Sequence, residues 1–179
     1  MANVILVTGG ARSGKSAYSE ALAKSFSGSR AYIATSPVVD EEMARRIERH
    51  KEQRGNDGWM TIEEETDLTG AIRSASEYDT ILVDCLTLWI NNLLYHAELA
   101  GKTFSEDDML EGCRELKAAC IQFSGNIIFV INEVGMGIVP DNQLSRLFRD
   151  LSGRCAVAVA AFADKVVLVS CGIPLMLKE

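Results

Sequence analysis

The residues Gly9-Gly10-Ala11-Arg12-Ser13-Gly14-Lys15-Ser16 combine glycines, a lysine and a hydroxyl at a spacing suited to holding phosphate. They follow the apolar run Val4-Ile5-Leu6-Val7 and precede a helical pattern opening Ser16-Ala17-Tyr18. A strand, a glycine loop ending in Gly-Lys-Ser and a helix form a P-loop in its expected context. The glycines let backbone N–H groups turn inward around phosphate oxygens. The helix N-terminus adds its partial positive charge. In this arrangement Lys15 reaches the β- and γ-phosphates, and the Ser16 hydroxyl holds Mg²⁺.

Other polar residues sit where further strands end. Arg30 to Ala34 reads as a short strand, and Ala34-Thr35-Ser36 at its end offers hydroxyls to a base, ribose or phosphate. Thr80-Ile81-Leu82-Val83-Asp84 is a buried strand ending in a carboxylate, a Walker-B pattern that places Asp84 near Mg²⁺. Ile127 to Ile131 is another buried strand, followed by Asn132-Glu133-Val134-Gly135-Met136-Gly137. That segment suits a substrate, and equally suits a turn with a capping asparagine.

A helical segment from Asp40 to Arg54 carries Arg45, Arg46, Arg49, His50, Lys51 and Arg54, with Met43 and Ile47 as its main apolar residues. A helix polar nearly all round gains little from core packing. Arg46, His50 and Arg54 share one face at i, i+4, i+8. A cationic stripe around a histidine fits nucleotide phosphates; it also fits a solvated helix with an incidental histidine. The other histidine, His96, reads as structural or exposed. Cys85 beside Asp84 reads as packing, because burial next to a carboxylate disfavours the thiolate. Trp59 reads as a loop anchor more readily than as a stacking platform for a base.

These residues need a scaffold, and 179 residues suit a single domain over 1–179. The hydrophobic fraction, 47%, supports a real core. Besides the strands above, Trp59 to Glu63 is extended and Val166 to Ser170 reads as the last strand. Helices are expected from Lys15 to Phe26, Asp67 to Ala75, Leu86 to Leu99, Asp107 to Phe123 and Gln143 to Ala163, with Gly153 a local weakness in the last. Alternation of strands and helices predicts an α/β, P-loop NTPase-type fold, with a mostly parallel central sheet covered on both faces. The ligand then lies beyond the carboxyl ends of the strands.

Net charge of −7 argues against broad binding to nucleic acid or an anionic membrane, so an anionic nucleotide needs a local cationic site. The five cysteines include no C-x-x-C pair, which predicts reduced thiols, a cytoplasmic setting and no zinc site. No apolar run approaches the ~20 residues of a membrane helix, and the short N-terminal run lacks the basic flank of a signal peptide.

The chain resembles the bifunctional adenosylcobinamide kinase/adenosylcobinamide-phosphate guanylyltransferases of cobalamin biosynthesis. The resemblance runs nearly end to end, through VTGGARSGKS, YIATSPVVDEEMARRIERHKEQR, ILVDCLTLWINNLL and INEVGMGIVPDNQLSRLFRDLSGR. It implies that ATP or GTP phosphorylates adenosylcobinamide. GTP then places GMP on a histidine, which passes it to adenosylcobinamide phosphate to give adenosylcobinamide-GDP. By resemblance the guanylylated residue is His50. The implied nucleotide contacts are Gly9 to Ser16, Ala34 to Ser36, Lys51, Glu52, Gln53, Arg54, Glu63 and Asp84. Ser16 and Asp84 are the implied Mg²⁺ ligands, and a homo-oligomer, a trimer, is the implied assembly.

One departure from the family pattern is visible. After Gly153-Arg154, where the family carries an Asn-Gln pair, the chain reads Cys155-Ala156-Val157-Ala158. The apolar run Ala156 to Phe162 either meets another subunit or lies on the chain's own sheet. Two other activities remain open at this level. One is a monofunctional P-loop kinase of a small metabolite, with His50 incidental. The other is a nucleotide-dependent regulatory switch.

Overall fold

The computed structural model describes residues 1–37 and 57–179. Its strands are β1 (Asn3–Gly9), β2 (Arg30–Ala34), β3 (Trp59–Glu63), β4 (Thr80–Asp84), β5 (Asn126–Asn132), β6 (Lys165–Ser170) and β7 (Ile173–Lys178). Its helices are α1 (Lys15–Ser25), α2 (Leu68–Ser74), α3 (Leu86–Leu99), α4 (Glu106–Gln122) and α5 (Gln143–Phe162). The segment expected as a helix from Asp40 to Arg54 lies outside the described residues.

The strands form one seven-stranded sheet in the order β3-β2-β4-β5-β1-β6-β7. Every pairing is parallel except β6 with β7. The inner strands are apolar almost throughout because both of their faces are buried. Alternate residues serve opposite layers. Val4, Leu6, Ile81, Val83, Ile127, Phe129 and Ile131 pack in the layer containing residues of α2–α5. Ile5, Val7, Leu82, Ile128 and Val130 pack in the layer containing α1.

Side chains fix where several helices start. Asp67 accepts from Gly70 N at α2, and Asn142 from Ser145 N at α5. Ser105 and Asp108 form a reciprocal capping box at α4. The Gly153 position does not interrupt α5, which runs unbroken through it.

The expectation that Val166–Ser170 ends the sheet is corrected. The chain reverses at Cys171-Gly172, with φ values of 53° and 77°, and returns as β7. Two consecutive left-handed residues match the twist of a two-residue hairpin. Pro174 is tolerated because β7 is an edge strand.

The α5 run Ala156 to Phe162 packs one side on the core and turns the other outward. Cys155 and Val159 are buried on the chain's own sheet, while Val157 (71% exposed) and Ala161 face outward. Cys155 is wholly buried beside Cys113.

Candidate nucleotide site

The loop between β1 and α1 is shaped by its glycines and by the β6–β7 turn. Gly14 is the N-cap of α1 with φ 97°, which L side chains rarely adopt. A Cβ on Gly9 would lie 2.4 Å from the Val169 carbonyl oxygen, so only glycine lets the loop leave β1 this close to β6. Gly172 N donates to the Ser13 carbonyl at 2.8 Å, so the hairpin turn supports the loop from outside. That buttress was not legible in the sequence.

Lys15 opens α1 and is 7% exposed. Its Nζ donates to the Gly10 carbonyl at 3.0 Å, which places the ammonium inside the turn. Arg12 adopts φ 57° and is exposed at the loop's tip. The Ser13 hydroxyl is buried with no hydrogen-bond partner among the described residues. A buried, unsatisfied hydroxyl is costly unless a ligand completes it. Ser16 is exposed on the first turn of α1.

Register brings the remaining candidates to one sheet edge. Glu63 pairs with Ala34, and Ala34 with Asp84. Asp84 stands level with Val130 on β5, and Val130 with Val7 on β1. Asp84 continues the Leu82 side of β4, the face that carries α1. Two interstrand steps separate it from the P-loop strand, roughly 10 Å. The Tyr32 hydroxyl donates to Asp84 Oδ2 at 2.9 Å. Glu63 is exposed at the far edge strand, four strands from β1 in the sheet order.

Thr35 does not match the expectation of a hydroxyl turned to the ligand. It is fully buried, donates to the Cys85 carbonyl at 2.7 Å and accepts from Cys85 N at 2.8 Å. Asn92 Nδ2 donates to the Thr35 carbonyl at 2.8 Å. Thr35 and Asn92 therefore tie the end of β2 to β4 and α3. Asn132 does not cap a turn either; its carboxamide makes no hydrogen bond among the described residues, while Glu133 Oε1 accepts from Gly135 N at 2.7 Å.

Cys85 is buried, and its thiol is pushed up first by desolvation and then by Asp84, as expected of a packing residue. Trp59 is buried with its ring 6.1 Å from that of Tyr32 in an edge-on arrangement, and belongs to the core. His96 is exposed, 3.9 Å from Glu65 Oε2. His50, Lys51, Glu52, Gln53 and Arg54 lie outside the described residues. No cluster of three or more His, Cys, Asp or Glu side chains capable of holding a metal occurs among the described residues. No helix among them is long and apolar enough to cross a membrane.

A parallel sheet with a glycine loop closing on a lysine, and a carboxylate two strands away on the same face, defines a P-loop nucleotide-binding α/β protein. The architecture resembles that of a type III secretion ATPase from pathogenic bacteria, with a TM-score of 0.59 over 93% of this chain and 50% of that one, at 11% identity. The chain belongs to the cobinamide kinase / cobinamide phosphate guanyltransferase family, whose model matches residues 5–177. It is 42% identical to the bifunctional adenosylcobalamin biosynthesis protein CobU of Salmonella typhimurium, over 98% of this chain and 99% of that protein. The CobU protein of Escherichia coli is 40% identical over the same shares. The bifunctional CobP protein of Pseudomonas aeruginosa is 40% identical over 97% and 96%.

Proposed function

We propose that this chain carries both reactions of its family on one triphosphate site. In the first, a nucleoside triphosphate phosphorylates the hydroxyl of adenosylcobinamide. In the second, GTP guanylylates His50, and the GMP passes to adenosylcobinamide phosphate. The observation that carries the reading is the P-loop with Asp84 on the same sheet face, in a chain similar to bifunctional proteins over nearly its whole length.

The kinase step needs positioning and charge neutralisation more than covalent chemistry. Backbone N–H groups of Gly9 to Gly14 cradle the phosphates, and Lys15 meets the charge that develops on them. Glu63, Ala34 and Ser36 lie too far along the sheet edge to touch phosphates at the P-loop, and suit the nucleoside end. Ser16 and Asp84 supply hard oxygen donors, which fits Mg²⁺ with its remaining ligands from phosphate and water. Tyr32 orients that carboxylate, in the manner of an outer-shell partner. Bound Mg²⁺ would neutralise charge on the phosphate oxygens.

The guanylyl step needs a nucleophile, and neutral imidazole is one. A bond forms from the His50 ring nitrogen to the α-phosphorus, and the bond to pyrophosphate breaks. The acceptor phosphate oxygen then attacks the same phosphorus and the imidazole leaves.

The test is the intact mass after incubation with GTP and Mg²⁺. An increment equal to GMP supports the reading. Its absence, with adenosylcobinamide still phosphorylated, leaves a monofunctional kinase; no turnover of any corrinoid leaves a nucleotide switch. A trimeric assembly belongs to the same proposal, with the outward Val157 and Ala161 of α5 as its apolar contribution. Light scattering that gives a monomer at micromolar concentration removes that part.

A further inference from the structure

Asn132 is the last residue of β5, the strand between the P-loop strand and the Asp84 strand. It pairs in register with Gly9, the first residue of the glycine loop. Its backbone is held from two sides. Asn132 N donates to Thr87 Oγ1 at 2.7 Å, and the next amide, Glu133 N, donates to the Gly9 carbonyl at 2.9 Å. The side-chain alternation of β5 puts Ile128, Val130 and Asn132 on the α1 face. That is the face of Asp84. Asn132 stands one pleat further out than Asp84, level with the start of the loop.

Its carboxamide is half-buried and makes no hydrogen bond among the described residues. The neighbouring Glu133 falls on the opposite face by the same alternation, and one of its oxygens is already bonded to Gly135 N. A polyphosphate cradled by the loop and reaching towards Asp84 must cross the end of β5. The Asn132 amide stands at that crossing, a neutral donor that does not repel phosphate oxygens.

We propose that the Asn132 carboxamide donates to the terminal phosphate of the bound nucleotide, and that this contact distinguishes triphosphate from diphosphate. The inference rests on the P-loop holding nucleotide and is independent of whether His50 is guanylylated. A diphosphate is cradled by the glycine loop and Lys15 but does not extend to Asn132. A triphosphate does.

The test compares binding of GDP and of the β,γ-imido analogue of GTP, both with Mg²⁺, to the wild type, Asn132→Ala and Asn132→Asp. Loss of a hydrogen bond to a charged group should weaken the analogue about ten- to a hundredfold, with GDP affinity unchanged. Asn132→Asp keeps the shape and adds a negative charge, so it should weaken the analogue further and GDP little. Thermal melts without nucleotide check that both variants fold. Equal losses for the two nucleotides would mean a merely structural asparagine and overturn the inference, as would no loss for either. If the wild type binds neither nucleotide, the P-loop reading itself falls and takes the inference with it.

Discussion

The Tyr32 hydroxyl donates to Asp84 Oδ2 at 2.9 Å, linking the middle of β2 to the carboxyl end of β4 across 52 residues of sequence. One carboxylate oxygen is thereby held from the core side of the sheet. Tyr32 is itself 6% exposed and braced edge-on by Trp59. The carboxylate's position is therefore set by the core. Tyr32→Phe keeps that packing and removes the donor. Loss of such an outer-shell partner typically costs about ten- to a hundredfold in metal affinity or activity. The kinase reaction of the variant should need more Mg²⁺ for half-maximal rate, with its melting temperature nearly unchanged. An unaltered Mg²⁺ dependence would detach Tyr32 and Asp84 from the reaction.

Lys15 is the charge common to both half-reactions if there is one triphosphate site. Lys15→Ala should lower kinase and guanylylation rates together, each by about 10²- to 10³-fold. The bond from Nζ to the Gly10 carbonyl is lost as well, at a cost to stability of about 0.5–1.5 kcal/mol. Both activities and the denaturation midpoint should be measured on the same preparation. Guanylylation at the normal rate would require a second nucleotide site.

The parts of this architecture visible in the sequence are those with local physical causes. The inner strands read directly because burial on both faces makes them continuous apolar runs, as in Ile81-Leu82-Val83. The P-loop read directly because its glycines and lysine are contiguous. Helix ends shifted by about a residue, as at α4, where Ser105 and Asp108 cap a helix expected to begin at Asp107. β7 was missed because Cys171-Gly172 is a weak turn signal, and Ile173-Pro174-Leu175-Met176-Leu177 has no alternation to mark a half-buried strand. The inward Thr35 hydroxyl, the Gly172 buttress and the Tyr32–Asp84 bond depend on pairing between segments far apart in sequence. No local pattern encodes them. The α5 apolar run was ambiguous for a related reason, since only the packed structure separates inward Val159 from outward Val157.

Gly153 offers a simple gain in stability. It lies inside α5, is exposed, and an added Cβ would meet nothing within 4 Å. Glycine in a helix interior is less favourable than alanine by about 0.5–1 kcal/mol. Gly153→Ala should raise unfolding free energy by about that amount and leave both activities intact. A loss of stability in denaturant titration would contradict the described packing of this helix.

The cysteines should differ sharply in reactivity. Cys171 is exposed in the β6–β7 turn, and the other four are buried. Burial pushes the Cys120 thiol up to about 12 and raises Cys85 as well. Cys155 is also raised, chiefly by its hydrogen bond with Cys113. An aromatic disulfide reagent at pH 8 should titrate one thiol quickly and the remainder only after denaturation. Fast reaction of more than one thiol in the native protein would show that the core around α4 and α5 opens readily. Because Cys171 adjoins Gly172, which bonds to the Ser13 carbonyl, nucleotide should slow its modification if the loop tightens around phosphate.

On the proposed reading, His50 is the residue that separates the two reactions. A kinase passes phosphate directly to the substrate hydroxyl and needs no protein nucleophile. Guanylyl transfer through a covalent intermediate does need one. His50→Ala removes the imidazole and keeps the P-loop, Ser16, Asp84 and the neighbouring arginines. It should abolish labelling by α-labelled GTP and formation of adenosylcobinamide-GDP. Phosphorylation of adenosylcobinamide should persist, within about tenfold of wild type, because the γ-phosphate is held elsewhere. Both reactions should be run on purified protein with its melting temperature checked beside the wild type. The linkage can be tested further by acid, since a phosphoramidate on histidine is acid-labile whereas a phosphate ester on serine is not. If GMP transfer continues at the wild-type rate in His50→Ala, the nucleophile is another residue, and the cationic segment around position 50 serves only to bind phosphate.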